Sequence, residues 1–267
     1  DGGSGQRPAM LAGLAQSGGS GAGPLIAGLL AQWGPDPLRL PFLLILAVTV
    51  LAAVAILAVP EPAGGSAPEP WRVQWPRVPR EIRGAFARVS LSAATLWASA
   101  ALFLSIVPSY AGDLLATRNL ALLGAVSALA LAASCVAQVV SKRRNVDPRF
   151  AQIVGLGLLV VGLGALIAVS PLHSLAPLIV AALAGGTGHG IGILGTQDEL
   201  NGIVPPERRG EVTAAYITCI YTVVATAVIA TGLLALGMAL STSVASVAAV
   251  LAAASLACLA WQLRARG

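Results

Sequence analysis

Residues Ser141–Ser170 read SKRRNVDPRFAQIVGLGLLVVGLGALIAVS. Four cations crowd the first nine positions, and then no charge appears for 21 residues, Phe150 to Ser170. A helix of that length in water needs a polar face, and this stretch has none. About 20 apolar residues span the ~30 Å hydrocarbon layer of a bilayer. The stretch therefore predicts a helix that crosses a membrane and is entered from a basic turn.

The rest of the chain repeats the pattern. Of its 267 residues 57% are hydrophobic and 10% charged, against roughly 25% charged in soluble domains. Too few polar residues are present to coat a soluble fold of this size. Eight stretches are long and apolar enough to cross: 8–33, 38–60, 85–112, 118–141, 151–170, 174–198, 211–236 and 241–263. Lipid-exposed irregular backbone would leave N–H and C=O groups unpaired, so the crossings are helices. The fold class expected is all-α, a polytopic transmembrane helical bundle.

Charge supplies an independent test. With both chain ends and the connections 61–84, 142–150 and 199–210 on one side, that side holds 14 of the 16 Lys/Arg, and only Arg39 and Arg118 fall opposite. Cytoplasmic loops carry such an excess. The expected location is a cell membrane, plasma or inner, crossed many times with both ends cytoplasmic. The net charge of +5 then reflects topology, with a lipid bilayer and no nucleic acid as partner. Cys135, Cys219 and Cys258 sit in separate apolar runs without CxxC spacing. They read as small apolar side chains, and neither metal nor cofactor is expected.

The longest connection, Glu61–Gly84, is rich in proline and glycine and carries four arginines and two tryptophans, Trp71 and Trp75. It reads as a cytoplasmic tether between two bundles, 1–60 and 85–267. A short repeat agrees: Arg7-Pro-Ala-Met-Leu-Ala-Gly enters the first span and Arg209-Gly-Glu-Val-Thr-Ala-Ala the seventh, six spans later. In the first span, SGGSGAGPLIAG (Ser17–Gly28) puts Gly19, Gly23 and Ala27 in one row and Ser20, Pro24 and Gly28 in the next. Such rows let helices approach closely, and Pro24 bends the span.

Gly19–Gly28, with the pattern GxxxGPxxAG, resembles the proline-glycine motif in the fifth helix of major facilitator superfamily transporters, proton-driven antiporters in particular. LRLPF (Leu38–Phe42), SKRRNVDPR (Ser141–Arg149) and PPERRGEV (Pro205–Val212) also fall where that family has similar features. The resemblance implies that this chain holds helices five to twelve of a twelve-helix fold. Residues 1–60 are then the last two helices of the first half, 61–84 the linker and 85–267 the second half. It also implies that Gly19, Gly23, Pro24 and Gly28 form a conformational packing motif. The second-half counterpart of the family's best-known signature departs from pattern: Gln138-Val-Val-Ser-Lys-Arg-Arg keeps the basic cluster and lacks the glycine and aspartate.

No Asp, Glu, Lys or Arg lies in the middle of a span. Asp113 and Asp198, at span ends, read as solvated caps, and a main coupling carboxylate is expected in the four family helices not represented here. His189, in GGTGHGIG, is a candidate for a relay or a substrate contact. Ser92, Thr95 and Ser99, with Tyr110 three turns on, form a polar stripe in the third span. Thr218, Thr222 and Thr226 form another in the seventh, with Tyr216 and Tyr221 nearby. These make the third, sixth and seventh spans the expected cavity walls, and the wholly apolar fifth span the lipid-facing one.

The expected function is secondary transport by alternating access: proton-coupled efflux of a small lipophilic or neutral molecule, with protons and that molecule as partners. Proton-coupled uptake of a small metabolite is the alternative within transport. Gly18-Gly19-Ser20-Gly21 has the GxSG form of an intramembrane serine protease, with His189 as a conceivable base, but four helices separate the two in sequence. A structural membrane protein is a third class, and no enzyme is expected. Cysteines placed at Arg144 and at Leu172 should react with an impermeant thiol reagent from opposite faces of the membrane. Reaction from the same face would overturn the eight-span reading.

Overall fold

The computed structural model describes residue 23 and residues 26–59, 77–105, 107–114, 119–172 and 174–265. The described residues form helices and short turns: α1 (26–33), α2 (Leu40–Leu57), α3 (Arg83–Ser105), α4 (Val107–Leu114), α5 (Leu120–Arg143), α6 (Pro148–Leu172), α7 (Leu175–Ile203), α8 (Arg209–Gly237) and α9 (Leu240–Arg264). Among them, seven helices are long and apolar enough to cross a membrane: α2, α3, α5, α6, α7, α8 and α9. Of the first span, 26–33 is helical. Gly19 and Pro24 of its motif, and residues 60–76 of the long connection, lie outside the described residues.

The turn that opens the decisive stretch has a physical cause at each position. Lys142 and Arg143 close the last turn of α5, where cations complement the helix dipole. Asn145 then takes φ 48°, the left-handed geometry that terminates helices and that asparagine tolerates. Its N–H bonds the Lys142 carbonyl at 3.2 Å, and the Val146 N–H bonds Ser141 at 3.2 Å. Two residues later the Asp147 carboxylate accepts the Phe150 N–H at 2.8 Å and Pro148 starts α6, where proline costs nothing. The chain thus reverses in four residues, 144–147, and α5 and α6 run antiparallel.

α7 is the centre of the bundle. It packs most extensively on α6, next on α5, and also on α3. Glycine makes this possible on two sides at once. Toward α6, a β-carbon on Gly155 would meet the Cα of Gly192 at 2.6 Å, one on Gly162 the nitrogen of Gly185 at 2.6 Å, and one on Gly188 the carbonyl of Gly155 at 2.6 Å. Toward α5, Gly186 lies against the carbonyl of Ala130 and Gly190 against that of Ser134. Hydrocarbon gives no hydrophobic drive for helix association, so close van der Waals contact has to supply it. The glycines around His189 thus serve close packing.

Two faces differ from the sequence reading. α6, expected to face lipid, buries Gln152, Gly155, Leu156, Leu159, Gly162, Leu163 and Leu166. It presents glycine and leucine inward to α7 and keeps Val161 exposed on the other side. An all-apolar helix carries no hydropathy contrast to say which side is inside. In the first span, Gly28 is buried against the α5 backbone at Leu120 and Gly124, and the Gln32 side chain accepts the Leu120 N–H at 2.7 Å. Gly23 has open space around it.

Gly186→Val and Gly190→Val should separate α7 from α5, costing at least the ~1–3 kcal/mol typical of overpacking, and lower the melting temperature in detergent. Gly157→Ala and Gly164→Ala, where a β-carbon meets nothing within 4 Å, should be neutral or gain up to about 1 kcal/mol of helix propensity. Equal melting temperatures across all four would contradict the glycine seams.

Candidate functional site

The contact that draws Gly190 against the Ser134 carbonyl also brings two side chains together. His189 Nδ1 lies 2.9 Å from Ser134 Oγ, and Gln138 Nε2 donates to the same hydroxyl at 3.3 Å. Trp97 of α3 stands edge-on to the imidazole, with centroids 5.0 Å apart and planes at 86°. His189 is only 6% exposed, and its Nε2 has no hydrogen-bond partner among the described residues. The tautomer does not remedy this. If Nδ1 accepts from Ser134, then Nε2–H has no acceptor, and if Nδ1 donates, the Nε2 lone pair has no donor. Buried polar atoms left this way are rare and costly.

His189 borders a recess between α3, α5 and α7, with Ser99, Phe103, Ser127, Ala130 and Gly186 among its walls. The walls are mostly carbon, and the cavity volume is about 20 Å³. That is room for a single water-sized group.

The sequence candidates divide. Ser99 and His189 meet in the recess. Ser92, Thr95 and Ser99 each donate to a carbonyl of their own helix, at 2.9, 2.9 and 2.8 Å. Tyr110 is buried in α4 and bonds Ser170 of α6. Thr218 and Thr222 donate to carbonyls four residues back, both at 2.8 Å, and are exposed on α8 beside the exposed Tyr221. Asp198 pairs with Lys142 at 3.5 Å, both partly in the open, where such pairs contribute little.

A polar cluster that the sequence reading did not anticipate lies at the arginine-rich end. Arg88 of α3 is 3% exposed. Its Nη2 donates to Glu199 Oε1 at 2.6 Å, and its Nη1 donates to the Gln262 side-chain oxygen. Glu199 of α7 also accepts from Arg149 Nε at 3.2 Å and from Gln152 Nε2 at 2.5 Å. Gln262 Nε2 of α9 donates to Gln152 Oε1 at 2.6 Å and to Ser92 Oγ at 3.2 Å. Arg149 Nη1 reaches the Ala265 carbonyl at 3.1 Å. Four helices are thereby tied together at one end. A signal was present: Arg88 precedes Ser92, Thr95 and Ser99 at helical spacing, so the stripe begins one turn earlier. Gln152 and Gln262 are amides within apolar runs.

A helical bundle with seven membrane-length helices among its described residues, held by polar clusters inside, defines a polytopic membrane protein. Residues 7–228 match the family model for the Major Facilitator Superfamily. The chain belongs to that superfamily, a family of secondary membrane transporters for small molecules. Neither a curated protein nor a solved structure gives a match.

Glu199→Ala leaves Arg88 buried beside an empty partner position. Breaking one side of a buried pair costs about 3–5 kcal/mol, so the melting temperature should fall sharply. Arg88→Ala/Glu199→Ala should cost less than the sum of the single changes, because they share one interaction. Strict additivity would show that the pair does not form.

Proposed function

We propose that this protein exports a small lipophilic or neutral molecule across the cell membrane in exchange for protons, with His189 as a relay that takes up and releases the proton. The observation that carries this reading is the unsatisfied Nε2 of His189 at a carbon-walled recess. Imidazole is the side chain whose unperturbed charge change falls near neutral pH, and an intramembrane ionisable group with an unmet hydrogen bond is a functional candidate by default. The recess as it stands admits one water-sized group, but its carbon walls, with no cation or carboxylate among the described residues that line it, suit an apolar substrate once the motion described below enlarges it.

The orientation follows the positive-inside bias. The arginine-rich end, with the Arg88–Glu199 cluster, is cytoplasmic, and both chain ends lie on that side. Residues 1–60 belong to one half and 85–267 to the other, joined by 61–84. Alternating access is then rocking of one half against the other. Of the proline-glycine motif proposed to ease that motion (Gly19, Gly23, Pro24 and Gly28), Gly28 packs on the α5 backbone of the other half. Ser92, Thr95, Ser99, Tyr110, Thr218, Tyr221 and Thr222 are the hydroxyls available to a cavity opened by that motion.

The test uses the full chain in proteoliposomes with a neutral lipophilic dye, Nile red, and an imposed pH gradient. Wild-type protein should move dye against the proton flow, and His189→Gln should lose the pH stimulation while keeping dye binding. Full pH stimulation in His189→Gln would remove His189 from the mechanism. Dye moving with the protons would reverse the direction to uptake symport.

A further inference from the structure

α3 and α7 run antiparallel, and three contacts fix their register. Trp97 meets His189, Leu96 fills the space over Gly192, and Arg88 bonds Glu199. At about 1.5 Å per residue, the interface can be read as levels. His189 with Ser134 occupies the first. About 10 Å along α7 comes a second polar level, where Thr196 Oγ1 and the Tyr216 hydroxyl of α8 are 3.0 Å apart. Ser90 of α3 is near this height, six residues from Leu96, and its buried hydroxyl has no partner among the described residues. The Arg88–Glu199–Gln152–Gln262 cluster is the third level, open to the surface through the half-exposed Arg149.

Between the first and second levels the buried side chains are apolar except Thr95, whose hydroxyl is taken up by the Ser92 carbonyl at 2.9 Å. Leu96 is fully buried, as is Ala93, and Ile193 is 4% exposed. The Leu96 side chain takes the place a side chain at 192 would occupy, since a β-carbon on Gly192 would lie 2.6 Å from Leu96 Cδ1. The recess lies on the other side of His189: its α7 wall is Gly185, Gly186 and His189, and its α3 wall runs from Ser99 to Leu104. Facing His189 are Trp97 from α3 and Ser134 from α5. Along this interface the charged groups toward the arginine-rich end are Arg88 and Glu199, both beyond the leucine.

We propose that Leu96, seated in the notch of Gly192, is the plug that isolates His189 from the cytoplasmic end, and that transport requires its withdrawal. A glycine at 192 and a leucine at 96 suit that role. The notch has no side chain of its own to hinder the plug, and leucine leaves it without breaking a hydrogen bond. Once the plug withdraws, the unsatisfied Ser90 hydroxyl and the Thr196–Tyr216 pair provide donors and acceptors for water between the two polar levels.

The link to proton movement rests on the His189 reading above, so the test separates the two. In full chain lacking its three native cysteines, His189→Cys is exposed to an impermeant thiol reagent from the cytoplasmic face. Adding Leu96→Ala should raise the labelling rate several-fold, and Leu96→Met, of similar bulk, should leave it near the starting rate. If Leu96→Ala does not fold, Leu96→Val gives a smaller rise in the same direction. An unchanged rate in the folded variant overturns the plug. With His189 intact, Leu96→Ala should also leak protons into dye-loaded vesicles without substrate. Faster labelling without a leak keeps the plug and removes His189 as the proton carrier.

Discussion

The approach of α7 to its neighbours, backbone against backbone, is the constraint on which the other features depend. Lipid tails are as apolar as leucine, so burying a leucine side chain between helices gains little over leaving it in the bilayer. What remains is contact at short range. Gly155, Gly162, Gly185, Gly188 and Gly192 give that contact between α6 and α7, and Gly186 and Gly190 give it between α7 and α5. The same closeness sets the chemistry. A β-carbon at 190 would push α7 away from Ser134, and His189 Nδ1 would lose the hydroxyl that orients it.

Close packing creates a second problem, because a bundle without gaps has no water to satisfy its polar groups. The arginine-rich end solves it by mutual satisfaction. Glu199 accepts from Arg88, Arg149 and Gln152, and the two glutamines bond each other. A half-satisfied cluster would be worse than an apolar one, so the participation of α3, α6, α7 and α9 is what makes buried ions tolerable. The middle of α7 is treated differently. His189 has one partner and one open nitrogen. The bundle thus contains a saturated polar cluster at its end and an unsaturated group near its centre, with Leu96 between.

Hydropathy and charge are local quantities, and what they govern was legible in the sequence. The helices α5 to α9 lie within a few residues of the predicted spans because apolar length sets a crossing. The stretch Ser141–Arg149 was legible as a basic turn between two spans, while its closing by Asn145 and Asp147 came from the structure. The facing of each helix was not. α6 is apolar all round, so nothing in its sequence distinguishes the side against α7 from the side toward lipid. Glu199 falls in the connection 199–210, and Arg88, inside the span 85–112, counts only with the cations of the basic side, for a related reason. The sixth predicted span ends at Asp198, whereas α7 continues to Ile203. Partners from 111 residues apart in the chain then meet in space. Ser134, the partner of His189, is an unremarkable serine until α5 and α7 are set side by side.

The hydroxyl stripe of α8 shows why polar character alone does not mark a site in a membrane. Thr218, Thr222 and Thr226 look like a wet face in sequence, yet each donates to the carbonyl four residues back, all at 2.8 Å. A threonine that satisfies its own proton can face hydrocarbon as readily as water. The third-span stripe behaves the same way at Thr95 and Ser99. Imidazole has no such option, since its two nitrogens point in different directions and one helix cannot serve both. A single histidine inside a bundle therefore needs two external partners, and α3, α5 and α7 provide His189 with one. Hydrogen-bond geometry, and not polarity, is therefore what separates the self-satisfied hydroxyls of α8 from a ring with one nitrogen unmet.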